Sequence, residues 1–397
     1  MRLARHKPEQ AWKHWQEIAK THRFSEQQAG KVLQRIALTG ALRNHPQAAQ
    51  WLASVPDHAV NADIRQWRVR VALSDGDWKD ALRWIDELDA TERNAETWRY
   101  WRAYALEADG ASGDAFTEYA RLADERSYYG FLAADHLQRP YQMNDSRISY
   151  EKEQLEDVEQ IPGILRAREL YLAGKHLDAR REWYHTTASL SEQELKLLAL
   201  LAHRWGWHDR AILTASRAGY WSDLTLRFPL PHRKSIFAYA DQYDLDPALI
   251  YGVIRQESAF MEDARSPVGA LGLMQLMPQT GKQTARSLKI RYRGNQALLH
   301  SDQNIRLGSA YLNKLLKRYN GSPVLAAAAY NAGPHRVSRW LPTGKSMDAS
   351  LWMERIPFKE TRHYVRRVLA YATVFEWRLQ RPVTRLSHRL SEIQQRY

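Results

Sequence analysis

Residues 246–258 read Asp-Pro-Ala-Leu-Ile-Tyr-Gly-Val-Ile-Arg-Gln-Glu-Ser, and this stretch predicts an amphipathic α-helix that ends on a carboxylate. Asp246 can cap the free amides of the first turn, and Pro247 suits the first helical position. Apolar residues recur at positions 249, 250, 253 and 254, and Glu257 continues that stripe. We therefore expect Glu257 at the end of a helix, on its apolar side.

The predicted position of Glu257 is unfavourable for an ionised carboxylate. Burial against the apolar face and the negative end of the helix dipole both disfavour the charged form. Both effects raise the pKa of the carboxyl group, as a general acid working near neutral pH requires. A partly buried glutamate paired with a nearby basic side chain explains the same spacing, and periodicity alone does not decide between the two.

Further candidate residues follow this helix. The loop Ser266-Pro-Val-Gly-Ala-Leu-Gly272 leads into Leu273-Met-Gln-Leu-Met-Pro278. Gln275, with Met274 and Met277 beside it, could line a groove for a ligand that has apolar faces and amides. Met is nevertheless more commonly a core residue, so both interpretations of the methionines stay open.

Two later segments carry polar residues next to helix boundaries. A predicted helix that begins at Ser322-Pro323 runs through four Ala to Tyr330-Asn-Ala-Gly333, so Tyr330 and Asn331 at its end could reach a ligand. The segment Ile356-Pro-Phe-Lys-Glu-Thr-Arg-His-Tyr364 begins a long basic helix. Glu360 in that segment is a second candidate carboxylate, and Arg362 is close enough in sequence to pair with it.

Four of these motifs, in this order, resemble the soluble lytic transglycosylases of Gram-negative bacteria. They are Glu257-Ser258, Gly272-Leu-Met-Gln275, Ala329-Tyr-Asn-Ala-Gly333 and Ile356-Pro-Phe-Lys-Glu-Thr-Arg362. An ordered set is far more specific than any one motif alone. The resemblance is strongest from Phe228 to about Trp377 and is weaker upstream.

The resemblance implies a role for each matching residue. Glu257 would be the catalytic acid, and Ser258 would support it. The residues that would bind substrate are Ser258, Ser266, Gln275, Met277, Tyr330, Asn331 and Glu360, with Tyr330 near the reacting centre and Glu360 deep in the site. Leu271 stands where family members often carry a small polar residue, and we expect little consequence from this difference.

The reaction implied is non-hydrolytic cleavage of the MurNAc-β-1,4-GlcNAc bond of peptidoglycan, which gives 1,6-anhydromuramoyl products. Glycosidases usually need two carboxylates, and only one is well placed by motif here, so Glu257 would serve as acid and then as base. The nearest alternative is a goose-type lysozyme-like muramidase in which Glu262, Asp263 or Glu360 positions a water. Another is a non-catalytic helical scaffold that binds the cell wall.

The N-terminal two-thirds of the chain predicts stacked helical hairpins. A Gly followed five residues later by Ala recurs as Gly76/Ala81, Gly110/Ala115, Gly174/Ala179 and Gly206/Ala211. The Gly can end one helix, and the small Ala lets the next helix pack closely against it. Twelve of the 15 Trp lie in this region, mostly beside Ala and Leu at helical spacing. We therefore expect most of them to fill hairpin cores rather than bind sugar.

These patterns predict an all-α protein with an α-superhelical hairpin-repeat region and a lysozyme-like helical catalytic domain. We place a shortened α-superhelical domain at residues 1–145, a helical linker domain at 146–227 and the catalytic domain at 228–397. Weak periodicity between Pro140 and Gln160 supports the first boundary, and Arg227-Phe-Pro-Leu-Pro-His232 supports the second.

The formal net charge is +13, and its excess lies in the last of these domains, where 26 Lys and Arg face 12 Asp and Glu. A basic domain suits a polyanionic partner such as nucleic acid, an anionic membrane or carboxylate-bearing peptidoglycan strands. Nucleic acid is disfavoured, because no recognised nucleic-acid motif accompanies the charge. The substrate that the resemblance implies would place the protein in the periplasm.

The composition excludes several other kinds of site. Without cysteine, there is no disulfide, thiolate metal site or cysteine nucleophile. The histidines show no pair at metal-ligand spacing backed by carboxylates, so we expect no metal and no cofactor. No apolar run is long enough for a transmembrane segment, and the first residues lack the apolar core of a signal peptide.

Overall fold

The all-α prediction is confirmed. The structure, a computed structural model, describes residues 2–395, and within that range the regular elements are α-helices and short 3-10 helices. The backbone pairs of β type in the described residues are isolated bridges rather than strands. None of the helices described combines the length and apolar character that crossing a bilayer requires.

The first ten helices are short and follow one another closely. They are α1 (Arg2–His6), α2 (Pro8–Thr21), α3 (Glu26–Leu42), α4 (Ala48–Ala53), α5 (Ala62–Asp75), α6 (Trp78–Asp86), α7 (Ala90–Arg93), α8 (Glu96–Ala108), α9 (Ser112–Ala123) and α10 (Tyr128–His136). A 3-10 helix, Asp57–Ala59, lies between α4 and α5.

The next six helices follow a stretch without regular structure at residues 140–150. They are α11 (Lys152–Glu159), α12 (Pro162–Leu172), α13 (His176–Thr187), α14 (Glu192–Arg204), α15 (His208–Arg217) and α16 (Leu224–Arg227). The weak periodicity that predicted a connection here therefore coincides with a real break.

The remaining helices carry the sequence motifs. They are α17 (Arg233–Tyr243), α18 (Pro247–Glu257), α19 (Pro278–Ser287), α20 (Ser301–Arg318), α21 (Pro323–Ala332), α22 (Pro334–Trp340), α23 (Ala349–Arg355) and α24 (Lys359–Arg378). Two further 3-10 helices are Asn295–Leu299 and Leu386–Arg389.

The Gly/Ala repeats form the predicted hairpins. The four glycines lie between α5 and α6, α8 and α9, α12 and α13, and α14 and α15, with φ from 72° to 93°. This left-handed conformation suits glycine and reverses the chain after each first helix. The four alanines are at most 1% exposed on the second helices, which pack against the first.

Most of the tryptophans in this region serve the core, as the sequence analysis expects. Seven of the twelve are buried, namely Trp15, Trp51, Trp67, Trp98, Trp101, Trp183 and Trp207. Trp221 differs, because 48% of it is exposed. It lies between α15 and α16, and Arg227 of α16 packs over its ring, with the guanidinium carbon 4.5 Å from the ring centroid.

The chain divides into two compact units that do not follow its order. Unit 1 contains residues 1–142, 321–366 and 385–397, and unit 2 contains residues 143–320 and 367–384. Residues 321–366 thus fold with the N-terminal helices. The division into domains at 1–145, 146–227 and 228–397 stays a prediction.

A buried ion network ties helices of unit 1 together. Glu354 on α23 is 1% exposed and accepts hydrogen bonds from Arg70, Tyr129 and Arg366. Burial alone would raise the pKa of Glu354, but the charges of Arg366 and Arg70 outweigh it and bring the pKa to about 2. The carboxylate is therefore ionised and holds α5, α10 and α24 around α23.

Candidate active site

Helix α18 of unit 2 forms as predicted. The Asp246 side chain accepts a hydrogen bond from Ala248 N at 3.0 Å, and Pro247 occupies the first helical position. Gly252 lets α24 approach closely, because a Cβ added there would lie 2.9 Å from the carbonyl oxygen of Val368. The helix is thus fixed at its start by a cap and at its middle by a backbone contact.

Glu257 is the last residue of α18 and is half-buried. The chain then turns sharply, since Ala259 and Phe260 have φ of 49° and 69°. Residues other than glycine rarely adopt this backbone conformation. Phe260 is 4% exposed and packs against Tyr251 and Phe375, and this aromatic contact stabilises the turn directly after Glu257.

The Ser258 hydroxyl takes part in that turn. It donates to Ile254 O at 3.3 Å and accepts from Phe260 N at 3.2 Å. The side chain therefore caps the helix that carries Glu257. Its predicted supporting role has a concrete local basis in these bonds, while contact with substrate stays a prediction.

The loop that carries Ser266 and Gln275 is held by its own hydrogen bonds. Ser266 Oγ accepts from Ala270 N at 2.9 Å. Gln275, with φ of 46°, donates from Nε2 to Ala264 O at 3.2 Å and to Gly272 O at 2.8 Å. The Gln275 amide nitrogen thus braces the loop, and its carbonyl oxygen is the group left for a ligand.

Asn304 on α20 is a site-building residue that the sequence analysis missed. It is 0% exposed, donates to Leu271 O at 2.9 Å and to Leu298 O at 2.7 Å, and accepts from Met274 N at 2.7 Å. Gly272 makes this possible, because a Cβ there would lie 2.4 Å from Asn304 Nδ2. No local pattern distinguishes this Asn, since its partners are up to 33 residues away.

The two methionines of this segment have different environments. Met274 is 0% exposed and packs against Gly308, so it belongs to the core. Met277 precedes α19 and is 42% exposed. Only Met277 therefore remains a candidate for contact with substrate.

Tyr330, Asn331 and Glu360 lie in unit 1. The first two occupy the last turn of α21 and are half-buried, and Glu360 is exposed in the first turn of α24. Asn331 Nδ2 donates to Glu360 Oε1 at 3.1 Å, and Asn331 Oδ1 accepts from Thr361 at 2.6 Å. Asn331 thus orients the Glu360 carboxylate, a contact that the sequence analysis did not predict.

The expected pairing of Arg362 with Glu360 is wrong. Arg362 is 4% exposed, donates to Ile356 O and lies beside the network around Glu354. Burial, together with the charges of Arg70 and Arg366, lowers its pKa to about 9. Two residues after Glu360, the helix has turned about 200°, which directs Arg362 into the interior instead.

The two carboxylates that follow Glu257 are each held by a basic side chain. Glu262 Oε1 lies 3.1 Å from His232 Nε2, and Asp263 receives hydrogen bonds from both terminal nitrogens of Arg180, at 2.9 and 2.7 Å. Burial acts against ionisation of Asp263, but Arg180 outweighs it and lowers the pKa. Within residues 2–395, no group of three histidines or carboxylates could hold a metal ion.

Comparison with known proteins places this geometry in a family. Residues 234–353 match the family model described as "Transglycosylase SLT domain", and residues 157–224 match "Soluble lytic murein transglycosylase L domain". Residues 355–383 match "Soluble lytic transglycosylase helical domain". Glu257 therefore lies in the first of these regions and Glu360 in the third.

Relatives and solved structures agree with these matches. A soluble lytic murein transglycosylase of Salmonella typhimurium is 33% identical over 325 residues, which is 81% of this chain and 50% of the relative. The structure of a Pseudomonas aeruginosa lytic transglycosylase mutant has a TM-score of 0.91 at 38% identity, covering 97% of this chain and 63% of that chain. For the 70 kDa soluble lytic transglycosylase of Escherichia coli, the TM-score is 0.86 at 28% identity, covering 100% and 64%.

The fold and the three matched regions define a protein of the lytic transglycosylase type. The chain belongs to the soluble lytic transglycosylase family. It spans about half the length of the curated relatives that it matches.

Proposed function

We propose that the chain is a peptidoglycan lytic transglycosylase that cleaves the MurNAc-β-1,4-GlcNAc bond and forms 1,6-anhydromuramoyl products. The observation that carries this proposal is the position of Glu257. It ends α18 inside the region matched by the transglycosylase domain, half-buried and followed by a turn that its neighbours stabilise. A single carboxyl group in this position suits a reaction in which the same residue acts first as the acid and then as the base.

In the proposed reaction Glu257 begins as the acid. Its proton passes to the glycosidic oxygen, the bond from C1 of N-acetylmuramate to that oxygen breaks, and N-acetylglucosamine leaves with a new hydroxyl. The acetamido group of the substrate supports the positive charge that develops at C1. The Glu257 carboxylate then takes the proton of the C6 hydroxyl, and O6 bonds to C1. The carboxyl group is protonated again, and no water is consumed.

Two findings support a mechanism with one carboxylate. The related Pseudomonas aeruginosa structure is that of an inactive mutant in which one glutamate is replaced by glutamine. In this chain, the nearest carboxylates along the sequence, Glu262 and Asp263, are engaged by His232 and Arg180. These contacts oppose the use of Glu262 or Asp263 as the base that a muramidase needs.

The other site residues receive proposed roles from the family motifs that they match. Ser258 supports Glu257, and Ser266, Gln275 through its carbonyl oxygen, and Met277 contact the glycan. Tyr330 hydrogen-bonds near the reacting centre. Asn331 and Glu360 bind substrate as the hydrogen-bonded pair described above.

The proposed substrate also suggests a location. Peptidoglycan strands are the proposed partner, and the periplasm is the compartment in which Gram-negative bacteria keep them. The excess positive charge of residues 228–397 suits the carboxylates of peptidoglycan.

Digestion of purified sacculi by the wild-type chain and by Glu257→Gln tests the proposal. Mass spectrometry should find 1,6-anhydromuramoyl ends with the wild type and none with Glu257→Gln, while both variants bind sacculi and melt at similar temperatures. Glu192→Gln, an exposed glutamate of α14, serves as the matched control and should retain full activity.

Other outcomes identify the alternatives. Reducing muramic acid ends that carry added water would indicate a muramidase. Binding to sacculi without cleavage by the wild type would indicate a scaffold. Normal cleavage by Glu257→Gln would refute the assignment of the acid.

A further inference from the structure

We infer that Arg180 is a positioning residue for the proposed reaction, because its ion pair with Asp263 holds the segment between Glu257 and Gln275. Arg180 lies on α13, and its only proposed action is through Asp263. The inference rests on the proposed function for its catalytic consequence. The structural consequence, a tethered segment, can be measured independently.

The pair has a geometry that restrains both partners. Arg180 Nη1 lies 2.9 Å from Asp263 Oδ1, and Arg180 Nη2 lies 2.7 Å from Asp263 Oδ2. Two parallel hydrogen bonds to one carboxylate fix its orientation as well as its position. The Arg180 side chain is only 17% exposed and that of Asp263 is 38% exposed, so water screens the contact only in part.

Two backbone hydrogen bonds link the segment that contains Asp263 to the turn that follows Glu257. Ser258, the residue after Glu257, accepts from Met261 N through its carbonyl oxygen at 3.0 Å. Met261 O in turn accepts from Ala264 N at 3.3 Å. Asp263 therefore lies in a compact bonded segment, and displacing it displaces the cap of α18.

The same segment supports the loop with Gln275. Ala264 O, one residue after Asp263, accepts from Gly272 N at 2.9 Å and from Gln275 Nε2 at 3.2 Å. The few residues around Asp263 are thus bonded to Ser258, which directly follows the proposed acid, and to Gln275, a proposed glycan-binding residue. One ion pair from α13 can restrain them together.

A second contact reinforces this restraint on the neighbouring residue. Glu262 pairs with His232, which directly precedes α17. A cavity of about 110 Å³ adjoins the two pairs, and its other polar walls are His176, His208, Asp209 and the Tyr171 ring. Its volume suits a few water molecules.

In the pair, Arg180 and Asp263 each favour the charged form of the other. Hydrogen bonding to Asp263 raises the pKa of Arg180 despite its burial. Burial tends to raise the pKa of Asp263, but Arg180 outweighs this effect and lowers it. Both groups are therefore charged at neutral pH.

The pair also joins two regions that the family models treat separately. Arg180 lies within residues 157–224, matched by the L domain, and Asp263 within residues 234–353, matched by the transglycosylase domain. The helices before the transglycosylase domain thus act on its chemistry, besides connecting it to the rest of the chain.

The test compares Arg180→Ala, Arg180→Lys and Asp263→Asn with Arg181→Ala in the full chain. Arg181 is the neighbouring residue, is 71% exposed and pairs only locally with Asp178, so it is a matched control. Hydrogen–deuterium exchange of residues 258–276 and steady-state kinetics on a soluble peptidoglycan oligosaccharide are measured for each variant. Thermal melts identify the temperature range in which all variants are folded.

Arg180→Ala should speed exchange across residues 258–276 and lower kcat by about tenfold to a hundredfold, with a smaller change in KM, because the acid is misplaced rather than removed. Asp263→Asn should behave similarly, and adding it to Arg180→Ala should cost little more. Arg180→Lys keeps the charge but loses the bidentate geometry, so it should restore part of kcat.

Two results would overturn the inference. If Arg180→Ala and Arg181→Ala had the same exchange rates and the same kcat, the ion pair would not tether the segment. If Arg180→Ala exchanged faster but kept an unchanged kcat, the ion pair would be structural and would not position the catalytic groups. A wild-type chain without cleavage activity would instead overturn the proposed function, and the exchange data would still decide whether the tether exists.

Discussion

The Nε atom of Arg70 on α5 lies 3.2 Å from the Oε2 atom of Glu354 on α23, although 284 positions separate the two residues. Arg70 is 5% exposed and Glu354 is 1% exposed. A buried charge is tolerated when a partner and hydrogen bonds compensate for the lost hydration. Tyr129 and Arg366 also donate hydrogen bonds to this carboxylate, so one ionised residue links four helices of unit 1.

Replacing Glu354 should therefore destabilise the protein strongly. Glu354→Gln leaves Arg70 and Arg366 buried without their counter-charge, which should lower the free energy of unfolding by about 3–5 kcal/mol. Urea denaturation followed by circular dichroism measures the change. Glu156→Gln, which breaks an exposed pair with Lys152, is the control and should change stability by less than about 1 kcal/mol.

The Glu354 carboxylate should make the free energy of unfolding depend on pH in the acid range. Its pKa is about 2 in the folded chain against an ordinary value of 4.5. Because the folded value is the lower one, this contribution is complete above pH 4.5 and is lost as the pH falls towards about 2. The free energy of unfolding should fall more steeply in this range for the wild type than for Glu354→Gln. Parallel pH profiles for the two would contradict the assignment.

Asn304 should be essential for the loop that carries Gln275. Asn304→Ala removes the partners of Leu271 O, Leu298 O and Met274 N, which should cost at least about 2 kcal/mol of stability. It should also reduce any cleavage activity at temperatures where the chain stays folded. Asn313→Ala, on the same helix and half-buried, should leave both properties nearly unchanged, and equal effects of the two variants would argue against a specific role.

Gly252 should tolerate no side chain. Gly252→Ala places a Cβ 2.9 Å from Val368 O and 3.2 Å from Ala372 N, so α18 and α24 must separate. Overpacking of this kind should cost about 1–3 kcal/mol, measured by thermal or chemical denaturation. At Gly113, on α9, no atom lies within 4 Å of an added Cβ. Gly113→Ala should therefore keep stability or raise it by up to about 1 kcal/mol.

Features set by local sequence were predictable. The cap at Asp246, the apolar spacing of α18 and the Gly/Ala hairpins each depend on residues within a few positions of one another. Glu257 could therefore be placed at a helix end, because helical periodicity is a local property. The order of the four motifs then suggested its chemistry.

Features set by distant contacts were not predictable. Asn304 looks like any helical Asn until the loop around Gly272 is folded against it. The Arg180–Asp263 pair joins residues 83 positions apart, and nothing in either local sequence indicates the other. Sequence distance suggested a pair between Arg362 and Glu360, whereas the groups around the buried Arg362 include Arg70 and Tyr129, which are distant in sequence.

The discontinuity of unit 1 has a consequence for how the protein is made. During synthesis, α5 leaves the ribosome long before α23. Arg70 therefore cannot contact Glu354 while residues 143–320 are being translated. Contacts between distant parts of a chain form late because a long loop must close first. Through this interval the first ten helices lack the residue that neutralises their buried arginine. Unit 1 therefore stays incomplete until residues 321–366 have been synthesised.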